Sequence, residues 1–225
     1  MIAGIDGCED GWMVAIEASR GTIDILVVDR IEDILRDDPD LLVIDIPIGL
    51  LNRTPRAADR AARQLLKGRS SCVFNAPIRP ILDAATYAEA NRMSRELDGK
   101  GCSAQGFALV PKVREVDALV RTKPAVVIAE GHPEVSFALM NNGVALSDSK
   151  HSPAGVLLRT GMLSTALGGE ITSIVNRYPR NSRVDVLDSL ALLWTARRLK
   201  AAKAQRFPSH TCERDEFGIE AVINA

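Results

Sequence analysis

Short apolar runs at the beginning of the chain predict β-strands separated by tight turns. Strands are expected over residues 2–6, 12–17 and 22–28. The intervening residues 7–11 and 19–21 are rich in glycine, acidic residues and serine, which favour turns. Because these connections are short, we predict an antiparallel meander.

Two later apolar runs have a different pattern. Residues 41–46 and 125–129 are almost continuously apolar, which is typical of strands buried on both faces of a sheet. Between them, residues 50–124 have almost entirely helical periodicity. The first helix of that segment is expected to have Thr54 as its N-cap and to end at Gly68.

Helical spacing predicts the remaining elements. A short helix contains Ile31, Ile34 and Leu35 and ends before Pro39. Longer helices are expected over residues 84–97, 106–121, 133–140, 153–167 and 184–204, and a last short strand over residues 217–224.

The order of these elements narrows the fold class. Three antiparallel strands, a helix, a fourth strand, an excursion, a fifth strand and a C-terminal helix are similar to the element order of the ribonuclease H-like fold. We therefore predict one α/β domain over residues 1–225. Its mixed five-stranded sheet, three antiparallel strands and then two parallel, is flanked by helices. Residues 50–124 are expected to be a helical insertion between strands four and five.

Composition limits the classes of function. The chain has 225 residues, of which 46% are hydrophobic and 25% charged, with a net charge of −1. That balance excludes a histone-like binder of nucleic acid but not a local basic site. The four cysteines lie far apart without a CxxC pair, so neither a zinc ribbon nor a disulfide framework is expected. With no apolar run near ~18 residues and no basic leader, we expect a soluble cytoplasmic protein that does not bind membranes.

Charge is distributed unevenly along the chain. Residues 1–50 carry 12 acidic and 3 basic side chains, whereas residues 51–225 carry 17 acidic and 25 basic ones. Most of the early acids have the pattern of solvated surface. Asp6 and Asp45 differ from them, because each comes at the end of an apolar run.

Five carboxylates occupy positions where α/β sheets form their sites. Asp6, Asp45 and Glu130 end or follow predicted strands, and Asp185 and Asp188 share one face of the last helix. Mg²⁺ or Mn²⁺ prefers such oxygen ligands, and two ions about 3.5–4 Å apart can activate water and stabilise the leaving oxygen in phosphodiester cleavage. We take all five as candidate catalytic residues and all but Asp185 as candidate metal ligands.

Each of these acids also has a structural explanation. Asp6 and Asp45 lie beside turns whose backbone amides they would satisfy. Asp185 has the spacing of a capping-box residue, and Asp188 precedes a packing face of small residues. Glu130 fits the exposed end of a strand. Sequence leaves both explanations open for all five.

A stripe of basic residues follows the fourth strand. Arg56, Arg60, Arg63 and Lys67 have the spacing i, i+4, i+7 and i+11, which places them on one face of a helix. Such a face either binds substrate phosphates or is simply solvated. We take Arg56, Arg60 and Arg63 as candidate substrate-binding residues.

Nearly the whole chain resembles a known family. The matching segments are residues 4–8 with 11 and 12, 44–50, 58, 59, 62 and 63, 69–71 with 74 and 77, 103–105, 115–117, 130 with 132–134, 150, 185 and 188. They are similar to the family called domain of unknown function 429, described as predicted nucleases of the ribonuclease H-like fold. The resemblance implies that fold and a nuclease activity. Lys150 is one of the matching positions, and we take it as a further candidate substrate-binding residue.

The segment from Asp185 to Leu190 has a second likeness. It is similar to the closing aspartate motif of Holliday-junction resolvases, which belong to the same superfamily. That likeness implies metal ligands at Asp6, Glu130, Asp185 and Asp188. It supplies no counterpart for Asp45.

Three functions are compatible with these features. The leading hypothesis is a hydrolase, a nuclease dependent on Mg²⁺ or Mn²⁺, with DNA or RNA as its partner. The alternative is a nucleotide-binding or phosphotransfer protein, because Asp6-Gly7-Cys8 followed by Gly11 is similar to the phosphate-binding hairpin of actin-like ATPases. That alternative needs a homodimer to supply a second domain. A non-catalytic nucleic-acid-binding module is the third hypothesis.

Overall fold

Three N-terminal strands form an antiparallel meander. The computed structural model describes residues 1–18, 21–168 and 170–225. Strands β1 (Ile2–Cys8), β2 (Gly11–Glu17) and β3 (Ile23–Val28) pair in chain order, as predicted. Ser19 and Arg20 of the second predicted turn lie outside the described residues.

The parallel part of the sheet grows from the other edge of β1. Strand β4 (Leu41–Ile44) pairs in parallel with β1, and β5 (Val127–Gly131) pairs in parallel with β4. Two short strands, β6 (Arg206–Phe207) and β9 (Ile223–Asn224), extend this sheet beyond β5. In the described part of the chain the order is β3-β2-β1-β4-β5-β9-β6.

The prediction of five strands is therefore too low for this sheet. Its two additional strands are two residues long, which is too short for any hydrophobic periodicity to reveal. Strands β7 (Glu213–Arg214) and β8 (Glu220–Ala221) form a separate small hairpin between them. The class that was predicted, an α/β fold with a mixed sheet flanked by helices, is confirmed.

Most helices lie close to their predicted positions, and residues 171–176 form a further helix that was not predicted. The α-helices are α1 (Ala57–Leu65), α2 (Tyr87–Asp98), α3 (Ala104–Ala108), α4 (Val110–Arg121), α5 (Pro133–Met140), α6 (Pro153–Leu167), α7 (Ile171–Asn176) and α8 (Arg183–Lys200). The 3₁₀ helices are Ile31–Asp37, Ser70–Cys72 and Arg79–Asp83. No helix in the described ranges is both long enough and apolar enough to cross a membrane.

The beginning of α1 departs from the prediction. Arg56, not Thr54, is the N-cap residue, because the carboxylate of Asp59 accepts a hydrogen bond from the Arg56 amide at 3.1 Å. The Thr54 amide donates instead to Asp98, at 3.0 Å. The helix consequently starts two residues later than the composition of its first residues suggests.

Alternate residues of the strands pack against different layers. Ala3, Ile5 and Ile44 face a cluster that includes Val113 and Val116 of α4. Their neighbours Ile2, Met13 and Val43 face a second cluster, which includes Leu190 and Leu193 of α8. The sheet is therefore covered on both faces, as its continuous apolar runs require.

Helix α8 lies unusually close to β1. A Cβ atom at Gly4 would lie 2.0 Å from the amide nitrogen of Leu193 and 2.3 Å from the carbonyl oxygen of Ser189. Only a residue without a side chain permits this approach. Because Asp6 is two residues beyond Gly4, it faces the same layer, and the close packing brings it towards the residue that precedes Ser189, which is Asp188.

Candidate active site

Two of the predicted acids lie side by side where the pairing of β1 with β4 ends, although β1 itself continues beyond Asp6 to Cys8. Ile5 of β1 pairs with Ile44 of β4, so Asp6 and Asp45 occupy the next position on each strand. The amide of Asp45 donates to the carbonyl of Ile5 at 3.0 Å, which continues the ladder by one residue. Both side chains are half-buried and line the same cavity.

Asp188 reaches this position from α8. Its side chain is 1% exposed, and its Oδ2 accepts a hydrogen bond from Nζ of Lys150 at 2.7 Å. Its Oδ1 is buried and has no hydrogen-bond partner among the residues that the structure describes. A buried carboxylate oxygen without a partner is costly, so this atom marks a place where a ligand would be stabilised.

The three aspartates oppose one another's ionisation. Burial raises the pKa of Asp6 well above its usual range, and the charges of Asp188 and Asp45 raise it further. Burial is also the main cause of the raised pKa values of Asp45 and Asp188. Lys150 opposes these shifts but supplies only one positive charge. The cluster therefore favours a bound proton or a bound cation.

Asp185 and Lys150 border this cluster. Asp185 is half-buried one turn before Asp188, and burial together with the Asp188 charge raises its pKa. Burial alone would lower the pKa of Lys150, but the attraction and hydrogen bond of Asp188 outweigh it and raise that pKa. Lys150 is thus held as a cation beside the aspartates.

A cavity of about 460 Å³ opens above Asp6 and Asp45. Apolar side chains that include Phe74 and Leu109 form part of its wall. Its polar wall includes Arg69, Ser71, His132, Ser149, Lys150 and His151. The volume falls in the range of pockets that enclose small ligands.

Glu130 lines this cavity but is already paired with Arg56. Its two oxygens accept hydrogen bonds from the two Nη atoms of Arg56, at 2.6 and 2.9 Å, and the amide of Ile48 donates to it at 2.7 Å. Burial raises its pKa while Arg56 opposes that shift. Glu130 is therefore not a free carboxylate in the way that Asp6 and Asp45 are.

Arg56 does not lie on an exposed basic face, so the predicted stripe is wrong at its first position. The side chain is 1% exposed, and all five of its N–H groups are used. Its partners are Asp59, Glu130 and the carbonyl of Ile48. No donor is left for a substrate phosphate, and the guanidinium instead fixes α1 to the sheet.

Arg60 and Arg63 are also engaged elsewhere. Arg60 donates to the carbonyl of Pro55 at 2.5 Å. Arg63 donates to the carbonyl of Val73, at 2.8 and 3.1 Å, and so holds the segment that carries Phe74. Among the described residues that line the cavity, neither of these two arginines is present.

Sequence reasoning did not assign roles to several cavity residues. Arg69, Phe74 and His132 all lie at positions of family likeness, which was the available signal, but their spacing alone indicates no chemistry. His132 has a buried Nδ1 without a hydrogen-bond partner in the described part of the chain, and its positive form would lower the pKa of Asp45. Arg56, Arg60, Arg63 and Lys150 were the basic residues expected to bind substrate. Of these, Lys150 lies beside the aspartates.

A buried ion pair supports the segment that carries Lys150. Arg159 of α6 is 0% exposed and donates to the carboxylate of Glu134 at 2.7 and 3.0 Å. The same guanidinium donates to the carbonyl of Asp148 at 3.2 Å. Since Asp148 is two residues before Lys150, this pair anchors the segment against α5 and α6.

The aspartates are not already arranged as the coordination shell of a metal ion. In residues 1–18, 21–168 and 170–225, no group of three or more His, Cys, Asp or Glu side chains has an arrangement that holds a metal ion. The unpartnered Oδ1 of Asp188 and the oxygen chemistry of the cluster nevertheless fit a divalent cation. Metal binding therefore stays a prediction.

Residues 4–213 match the model of a family described as protein of unknown function (DUF429), and the chain belongs to that family. Comparison with curated proteins and with solved structures gave no significant match.

Proposed function

We propose that this protein is a metal-dependent nuclease that hydrolyses phosphodiester bonds of nucleic acid. The observation that carries the proposal is the cluster of Asp6, Asp45 and Asp188, three carboxylates with raised pKa values at one edge of the sheet. Such a cluster costs folding free energy, and groups with perturbed pKa values of this kind are concentrated at functional sites. The sheet order β3-β2-β1-β4-β5 supports a ribonuclease H-like topology. Three antiparallel strands are followed by two parallel strands, which is the order expected from the sequence.

Asp6, Asp45 and Asp188 are the residues that would hold Mg²⁺ or Mn²⁺. When bound, the cation would supply a Lewis acid that lowers the pKa of water and neutralises phosphate charge. Lys150 holds Asp188 in place through its 2.7 Å contact and presents a positive charge to the cavity. Glu130, paired with Arg56, would keep α1 and the end of β5 together and would not serve as a ligand.

Cleavage of labelled single-stranded and double-stranded oligonucleotides in Mn²⁺ tests this proposal. We expect Asp6→Asn and Asp188→Asn each to reduce the rate at least about 100-fold, because each removes charge that would hold the cation. Asp37→Asn, at an exposed acid of the 3₁₀ helix Ile31–Asp37, is the matched control and should cleave like the wild type.

Two results would count against this proposal. Undiminished cleavage by Asp188→Asn would remove the aspartates from the chemistry. A wild type that cleaves no oligonucleotide in Mn²⁺ but binds ATP with Mg²⁺ would favour the phosphotransfer alternative instead.

A further inference from the structure

The carboxylates lie at the floor of a cavity and not on an open surface. Asp6 and Asp45 are half-buried, and Asp188 behind them is 1% exposed. Any phosphate that meets these carboxylates must therefore enter the cavity. This places a steric condition on the substrate of the proposed nuclease, on which the inference rests.

The cavity is small compared with a double helix. Its volume of about 460 Å³ is on the scale of a pocket for one small ligand, on the order of one nucleotide. The stacked base pairs of a duplex cannot enter such a space. Enzymes with a deep pocket of this size act on single strands or take one nucleotide out of the stack.

An exposed aromatic side chain forms part of the wall. Phe74 is 49% exposed, although most large apolar side chains of the described chain are buried, and Leu109 beside the same cavity is 36% exposed. The backbone next to Phe74 is fixed, because Arg63 holds the carbonyl of Val73. A solvated aromatic ring on an anchored backbone can serve as the platform on which an unpaired base stacks.

Positive charge is available on the same wall. Arg69 lines the cavity and donates through Nη1 to the carbonyl of Ser147 at 3.1 Å, while its Nε and Nη2 donate to no residue of the described ranges and can meet a ligand. Lys150 lines it as well, close to Asp188. Cations beside an aromatic platform match the alternation of phosphate and base along an unpaired strand.

From these features we infer that the cavity takes one unpaired nucleotide unit, with its phosphate towards Lys150 and Arg69 and its base against Phe74. The ligand class is then a single strand, a strand end or a free nucleotide, whereas a blunt duplex would have to release a nucleotide from its stack before it could enter. Phe74 would distinguish an unpaired base from a paired one, because an unpaired base can stack on its ring.

Binding in Ca²⁺, in place of Mn²⁺, tests the inference without relying on turnover. The probes are a labelled single-stranded oligonucleotide, the same sequence as a blunt duplex, and a nucleoside monophosphate as competitor. We expect the single strand to bind at least about 10-fold more tightly than the duplex. Competition by the monophosphate at similar concentrations would identify the free nucleotide as the source, and its failure to compete would identify a strand.

Variants of Phe74 assign the preference to that ring. Phe74→Ala should weaken single-strand binding about 10-fold, in keeping with the loss of one stacked base, whereas Phe74→Trp should retain it. Leu97→Ala, at a 56% exposed apolar residue of α2, is the control and should bind like the wild type. Equal binding of duplex and single strand, or an unaffected Phe74→Ala variant, would overturn the inference.

The thermal midpoint with and without Mn²⁺, measured on the same protein preparation, separates this inference from the proposed function. A wild type that Mn²⁺ does not stabilise would contradict the metal-dependent nuclease. A wild type that Mn²⁺ stabilises but that prefers no strand form would contradict only the nucleotide pocket. The strand preference is read independently of that stabilisation, so each can fail alone.

Discussion

Asp188 has two oxygens in unlike surroundings. Oδ2 is bound by Lys150, whereas Oδ1 is buried without a hydrogen-bond partner in the described part of the chain. Burial raises the pKa values of Asp6 and Asp45, and neighbouring carboxylates raise them further because one ammonium group cannot neutralise three. At the scale of single residues, the site stores electrostatic repulsion that a proton or a cation relieves.

The raised pKa of Asp6 predicts that the stability of the metal-free protein depends on pH. The pKa of Asp6 is raised in the folded state above its unfolded value of about 3.9. Its contribution to stability is therefore full below that value and is lost as the pH rises through the folded pKa. Compared with Asp6→Asn in chelator, the wild type should become progressively less stable over this interval, by about 1.4 kcal/mol for each pH unit that separates the unfolded from the folded pKa.

Urea unfolding of both proteins between pH 4 and pH 9 gives this difference directly. Subtracting the variant removes the contributions of titrating groups that do not interact with Asp6, several of which have lowered pKa values. A stability difference that stays constant with pH, or that changes in favour of the wild type, would show that the pKa of Asp6 is not raised in the folded protein.

At the scale of elements, the contact between β1 and α8 determines where Asp6 and Asp188 meet. Helix α8 packs directly on β1 at Gly4, where there is no room for a methyl group. Asp6 and Asp188 each lie within a few residues of this contact along their own elements. A change at Gly4 therefore acts on the site without altering any charged group.

We expect Gly4→Ala to destabilise the protein by about 1–3 kcal/mol, because the added methyl group meets backbone atoms of α8 that cannot rotate away. It should also reduce the stabilisation by Mn²⁺, since α8 would be displaced together with Asp188. Gly161→Ala in α6 is the matched control: a Cβ there meets nothing within 4 Å, and alanine favours the helix by up to about 1 kcal/mol. Chemical unfolding with and without Mn²⁺ measures both effects, and equal stability of Gly4→Ala and the wild type would contradict the account.

Sequence patterns predict some of these elements well and others not at all. Helices α5 and α6 begin at the predicted residues because each has proline at its first position, and α6 also has a serine cap. The spacing of Arg56 and Arg60 predicts a shared helical face but not its surroundings. Arg56 is buried against Glu130, which comes 74 residues later in the chain. A local sequence pattern cannot contain a pairing over that distance.

At the scale of the whole molecule, the cavity is built from distant parts of the chain. Its wall includes Asp6, Arg69, His132, Lys150 and Ile223, which come from both ends and from the middle. The family match over residues 4–213 covers nearly all of these parts. The neighbouring positions of Asp6 and Asp45 follow from the parallel strand order, but the shape of the cavity depends on how every segment packs, which periodicity does not determine.

A crystal structure of the wild type with Mn²⁺, using anomalous scattering at the manganese edge, would show whether the three aspartates bind the metal. We expect anomalous density in contact with the carboxylates of Asp6, Asp45 and Asp188, with Glu130 still paired to Arg56. A cavity without such density in excess Mn²⁺, or manganese bound to Glu130 in place of the three aspartates, would contradict this expectation.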